Sequence, residues 1–184
     1  MIILDIFIKL ILISFFSFSI SLGNEKMIDN FSNNPELRWI FFADTVMGGR
    51  SSGIATFENS FDDRYVHLSG IVTTENNGGF IQIRKKVSGL DNSVQTINLK
   101  VKGNNETYHV FLRTSGTILP WQYYKAEFKV NNSWKKISIP ISEFERSSSF
   151  LSKTIKSETI RSIGLVAFGR DFEADLYVSE VIFK

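Results

Sequence analysis

The sequence predicts an all-β fold, an antiparallel β-sandwich, on three observations. Apolar and polar residues alternate through most of the chain after residue 24, helical periodicity is hard to find there, and the alternating runs are short and separated by Gly, Asn and Ser. Alternation sends successive side chains to opposite faces of a strand, so each run can bury one face and solvate the other. Roughly eight to ten such runs fit the chain, the density expected of two packed sheets.

The runs follow in order. A strand begins after Trp39, IATFEN (54–59) and YVHLSGIVTT (65–74) come next, and GGFIQIRKKV (78–87) places Ile81, Ile83 and Val87 inward with Gln82, Arg84 and Lys86 outward. TINLKVKG (96–103) repeats the scheme with Ile97, Leu99 and Val101, ending at Gly103, Asn104 and Asn105. YHVFLRTS (108–115) continues it, with His109 alternating among exposed positions. In WQYYKAEFKV (121–130), Tyr124, Ala126, Phe128 and Val130 take the core face, while Trp121, Tyr123, Lys125 and Glu127 share the other. NNSWKKISIP, SIGLVAFG and ADLYVSEVIFK complete the set. PELRW (35–39) and ISEFERSSSFL (141–151) are the only helical candidates, each a turn or two long.

With 184 residues, 43% of them hydrophobic and 17 of them Phe, the chain suffices for one well-filled core, so residues 24–184 read as a single domain. Lys and Arg number 21 against 19 Asp and Glu, and this near balance gives no electrostatic case for nucleic acid as a partner. Absence of Cys excludes a disulfide framework, a thiolate metal site and a Cys nucleophile. Residues 1–23 read as a signal peptide or N-terminal anchor: LILISFFSFSISL (10–22) is uncharged, of h-region length, and has the small residues Ser19, Ser21 and Gly23 at its end. The expectation is an exported chain cleaved near residues 21 to 24, periplasmic or membrane-anchored. Translation from Met27 and a cytoplasmic protein are the alternative.

ADTVMGGRSSG (43–53) invites three chemical readings. A P-loop needs Lys after its glycines and a following helix, whereas Arg50 and a strand stand here; a dinucleotide fingerprint fails for the same reason. GRSSG nearly spells a nucleophile elbow, but it lacks the strand-turn-helix context, and only His67 and His109 could act as base. The loop therefore reads as geometry. Gly48 and Gly49 permit a positive-φ turn whose backbone N–H groups Asp44 and Thr45 can satisfy.

DTVMGGRSSG followed by TTENNGGFIQIRKKV, WQYYKAEFKV and IPISEFE resembles the complex I intermediate-associated protein 30 family, from about Asp29 to the C-terminus. The resemblance implies a galactose-binding-like jelly-roll β-sandwich, similar in architecture to some carbohydrate-binding modules, with no catalytic residues and no cofactor. Mitochondrial members of the family act as assembly factors for respiratory complex I. The leading expectation is thus a non-enzymatic, chaperone-like assembly factor working through protein contacts with a membrane complex or its assembly intermediate. The alternative is a module that binds carbohydrate.

Candidate binding residues follow from where loops and polar faces fall. Trp121 and Tyr123 put two large rings on a polar face, and Arg84 and Arg113 hold comparable positions in their own strands. Rings supply apolar area and polar groups fix orientation, the usual way of gripping a sugar or a partner's side chain. The competing reading is that these rings fill the hollow of a curved sheet. Asp44 and Arg50 on the first loop and Asn77 in ENNGGF (75–80) form a candidate rim. For a metal, Asp29 or Asn30 with Glu180 are considered as calcium ligands, but their spacing is no motif, and no metal is expected.

Overall fold

The computed structural model describes residues 25–59 and 64–184. Twelve strands cross them: β1 (Lys26–Asp29), β2 (Trp39–Ala43), β3 (Ser52–Asn59), β4 (Arg64–Val72), β5 (Phe80–Lys86), β6 (Thr96–Gly103), β7 (Thr107–Thr114), β8 (Tyr124–Lys129), β9 (Lys135–Pro140), β10 (Glu145–Arg146), β11 (Ile160–Phe168) and β12 (Phe172–Phe183). The apolar run at 10–22 lies outside the described residues.

The strands form two antiparallel sheets. One is ordered β3-β4-β12-β6-β9, with β1 also on β12, and the other β10-β8-β7-β11-β5-β2. Strand β12 is long enough to hold two partners on one side, β4 along Phe172–Val178 and β1 along Val181–Phe183, while β6 takes its other side. The sheets pack face to face over one continuous apolar core, to which Leu68, Leu99 and Leu176 contribute from the first sheet and Ile83, Leu112 and Leu165 from the second. The inward residues expected in β5, β6 and β8 are all buried there. Two further strands escape the sequence reading because β1 and β10, at four and two residues, are too short to display alternation.

The helical candidates shrink to single 3₁₀ turns at Pro35–Leu37 and Ile141–Glu143. Asp44–Met47, expected only as loop, is a third such turn. Strand β7 departs further from expectation. His109 does face outward, yet it is only 6% exposed, because the edges of its ring meet Phe111 and Phe168 and its Nε2 faces Glu127.

At the end of β1, Asp29 is buried and fully committed. Its carboxylate accepts from the Phe31 N–H, from Arg38 Nε and Nη2, from Trp39 Nε1 and from Lys85 Nζ, at 2.8–2.9 Å. Burial alone would raise its pKa; the hydrogen bonds from Arg38, Lys85 and the Phe31 N–H overcome that and hold it at about 2. A carboxylate so saturated has no lone pair for calcium, and Glu180 sits beside Lys136, so the residues considered as metal ligands are structural. Among the described residues no cluster of acidic and His side chains suits a metal ion.

Candidate binding cleft

The outer face of the second sheet carries a cleft of about 810 Å³. Strand β11 runs along its floor with Gly164 in the middle, paired to Arg84 of β5 on one side and Phe111 of β7 on the other. Ser162, two residues back, pairs with Arg113. The two guanidinium-bearing side chains therefore flank β11 with only small residues between them. A Cβ on Gly164 would come 3.2 Å from Gln82 Oε1, so glycine leaves room for the Gln82 side chain to lie across β11.

Aromatic rings cover the floor. Phe111 and Tyr123 stack with centroids 4.0 Å apart and planes 8° apart, and Phe168 meets both edge-on. Phe42 of β2 lies under Arg84, whose guanidinium carbon is 4.5 Å from the ring centroid. Met47, Asn77 and Phe80 line the cleft from the side of the first loop.

The opposite wall is a short loop that presents Trp121, 62% exposed. Three groups hold that loop. Buried Gln122 turns its Oε1 back to accept the N–H groups of Ile118 and Leu119 at 2.9 and 3.0 Å. Arg113 donates to the carbonyls of Leu119 and Pro120 at 2.6 and 3.1 Å. Ser147 Oγ accepts the Tyr123 N–H and donates to the Trp121 carbonyl. An exposed indole on so fixed a loop has lost little freedom left to lose, which favours contact with a ligand.

Arg84 has no hydrogen bond or ion pair among the described residues, although it is half-buried. Burial pushes its pKa below the ordinary guanidinium value and the charge of Arg113 adds repulsion. Burial also lowers the pKa of Arg113. Neither Asp nor Glu lines the cleft.

The structure thus gathers Trp121, Tyr123, Arg84, Arg113 and Asn77 at one cleft. Asp44 and Arg50 are elsewhere. Asp44 is 0% exposed, and its carboxylate accepts from the N–H groups of Ser51, Gly79 and Phe80 and from the Ser51 hydroxyl. Instead of a local turn it ties two loops together from beneath, and it cannot meet a ligand. Its pKa is depressed, because those hydrogen bonds outweigh the opposing effect of burial. Arg50 points outward and pairs with exposed Glu75 at 2.9 Å. Ser51 is buried as well, which disposes of the nucleophile elbow. Among the cleft residues that sequence reasoning missed are Phe42, Phe80, Gln82, Phe111 and Phe168. Alternation does put Phe111 and Phe168 outward, but a Phe in a β-strand signals core by default.

The fold is a jelly-roll antiparallel β-sandwich. The family 11 carbohydrate-binding module of a cellulosomal cellulase from Clostridium thermocellum superposes with a TM-score of 0.71 at 19% identity, covering 89% of this chain and 95% of that one. The family 11 module from the same organism in complex with a β-1,3-1,4-mixed-linked tetrasaccharide gives 0.69 at 18%, covering 86% and 94%. A family 30 carbohydrate-binding module from that organism gives 0.53 at 10%, covering 74% and 87%. At these identities the likeness is one of fold. The chain belongs to the complex I intermediate-associated protein 30 family, whose model matches residues 29–178. No curated protein sequence matches it.

Proposed function

We propose that this chain is a non-enzymatic binding protein that takes a saccharide in the cleft over β11. The observation that carries the reading is an exposed indole, Trp121, in one cleft with polar donors on Gln82 and Arg84 that have no hydrogen-bond partner among the described residues. Flat apolar rings take the faces of a sugar ring while amide and guanidinium groups take its oxygens. That a module of the same fold forms a complex with a β-1,3-1,4-mixed-linked tetrasaccharide supports it. Isothermal titration of the full chain with oligosaccharides, with retention on immobilised polysaccharide as a second readout, tests it. Saturable heat that disappears in Trp121→Ala is expected. A panel of neutral and acidic oligosaccharides giving no heat would refute it.

A second reading rests on a separate observation. Besides Trp121 the surface exposes Ile118 and Phe150, 84% and 91% exposed, large apolar side chains suited to a protein partner, and the family takes its name from a complex I assembly intermediate. In this reading the client is a membrane complex or its intermediate. Affinity purification from the native host, with detergent-solubilised membranes, tests it: a recurrent partner lost on Ile118→Ser and Phe150→Ser supports it, and an unchanged partner list removes it.

A further inference from the structure

We infer that the cleft selects an acidic saccharide, its carboxylate or sulfate ester lying between Arg84 and Arg113 while a sugar ring packs on Trp121 and Tyr123. The inference rests on the saccharide reading above and narrows it to a ligand class.

The first argument is the unmatched charge. Five arginines outside the cleft find acceptors: Arg38 has Asp29, Arg50 has Glu75, Arg170 has Glu106, and Arg146 and Arg161 reach backbone carbonyls. Arg84 alone in the cleft has none, and its fixed contact is the face of Phe42. A guanidinium stacked on a ring keeps its in-plane N–H groups pointing sideways, free for a planar anion. Arg113 spends donors on two carbonyls, but carbonyls leave its charge uncancelled.

The second argument is placement. Arg84 and Arg113 pair across β11 with Gly164 and Ser162, so the two cations border one cleft with no bulky β11 side chain between them. No Asp or Glu stands among the described residues that line it, and Glu127, on the neighbouring strand β8, faces His109 at 3.3 Å. The chain's formal charge is +2 and its charges nearly balance, while the cleft lining holds two arginines and no acid. A neutral glucan offers hydroxyls to these groups and leaves two half-buried like charges uncompensated. An acid group compensates both through charge-assisted hydrogen bonds, about twice as strong as neutral ones. Depressed pKa values at both arginines, from burial and for Arg84 from Arg113 as well, accord with that deficit.

Titration of the full chain with a galacturonate tetramer, a sulfated galactan tetramer and a neutral mixed-linked glucan tetramer tests the inference. One of the acidic ligands should bind at least about tenfold tighter than the neutral one in low salt, and that margin should shrink as NaCl rises. The tighter arm identifies carboxylate or sulfate. Arg84→Gln should remove most of the margin, weakening the acidic ligand several-fold more than the neutral one. Neutral ligand bound as tightly as either acid, or a margin that survives Arg84→Gln, would overturn acid selection while leaving the saccharide reading in place. Inorganic sulfate competing as well as the oligosaccharides would overturn it in favour of a bare anion site. No heat from any of the three tetramers would remove both.

Discussion

Replacing Asp44 with alanine removes the acceptor on which both loops of one cleft wall converge. Three backbone N–H groups, of Ser51, Gly79 and Phe80, lose their partner inside a site that is fully buried. The Ser51 hydroxyl is not orphaned, since the Thr73 carbonyl lies 3.2 Å away. An unsatisfied buried donor costs about 1 to 3 kcal/mol, and water entering the space vacated by the carboxylate returns part of it, so Asp44→Ala should cost about 4 kcal/mol. Asp44→Asn makes a finer test. Its amide nitrogen must face either the single Ser51 N–H or the pair from Gly79 and Phe80. The first orientation loses one hydrogen bond, for about 2 kcal/mol. Urea denaturation followed by near-ultraviolet circular dichroism measures both. Asn77, Gly78 and Phe80 line the cleft, so oligosaccharide affinity should fall in the same order, alanine below asparagine below wild type. An alanine variant losing under about 1 kcal/mol would refute the assignment of Asp44 as the tie between loops.

The remaining predictions concern other parts of the same construction. Trp121→Ala should change stability by under about 0.5 kcal/mol and weaken ligand binding by about 2 kcal/mol. Tyr123→Ala, losing its stack on Phe111, should also cost about 2 kcal/mol of stability; equal stability losses for the two variants would contradict their different packing. Asp29 has its folded pKa below the unfolded 3.8, so its stabilisation is complete above that pH and is lost as pH falls towards about 2. Asp29→Asn should flatten the acid limb of a stability-against-pH curve by on the order of 1 to 2 kcal/mol, and an unchanged limb would exclude Asp29 as its source. Gly48 has φ near 90° and open space around it, whereas a Cβ on Gly49 would lie 2.3 Å from the Asp44 carboxyl carbon. Thermal melts should therefore find Gly48→Ala down by about 1 kcal/mol and Gly49→Ala by about 3 or more, and the reverse order would show that the loop is held differently.

Much of the fold was legible because alternation is a local property. Ile97, Leu99 and Val101, and likewise Tyr124, Ala126 and Phe128, announce their buried face within eight residues, and the structure buries them all. The cleft was legible by halves. Trp121 and Arg84 stand out as a ring and a charge on polar faces, but the floor does not, since Phe111 and Phe168 look like core and Gly164 looks like a strand weakness. Asp44 was misjudged for a related reason. A loop Asp beside glycines suggests an Asx turn or a ligand contact, but two of its backbone donors come from residues 35 and 36 positions away and the third from the far side of its own loop, a distance local chemistry cannot register. The glycines themselves were explained together when they differ. Gly48 is required for its left-handed backbone, and Gly49 for the carboxylate lying against it.

The three tryptophans occupy three unlike optical environments. Trp39 is buried, stacked on Phe31 at 5.5 Å and bonded through its indole N–H to Asp29. Trp134 lies on the outside of the first sheet beneath the ammonium of Lys102, 5.0 Å from its ring. Trp121 stands open at the cleft. Emission from Trp39 is blue and out of reach of aqueous quenchers, so it reports unfolding alone. Iodide reaches Trp121 and Trp134, and in a Trp134→Phe chain the quenchable fraction belongs to the cleft. The molecule thus carries separate built-in dyes for the integrity of its core and for the occupancy of its surface, readable in one cuvette without a label.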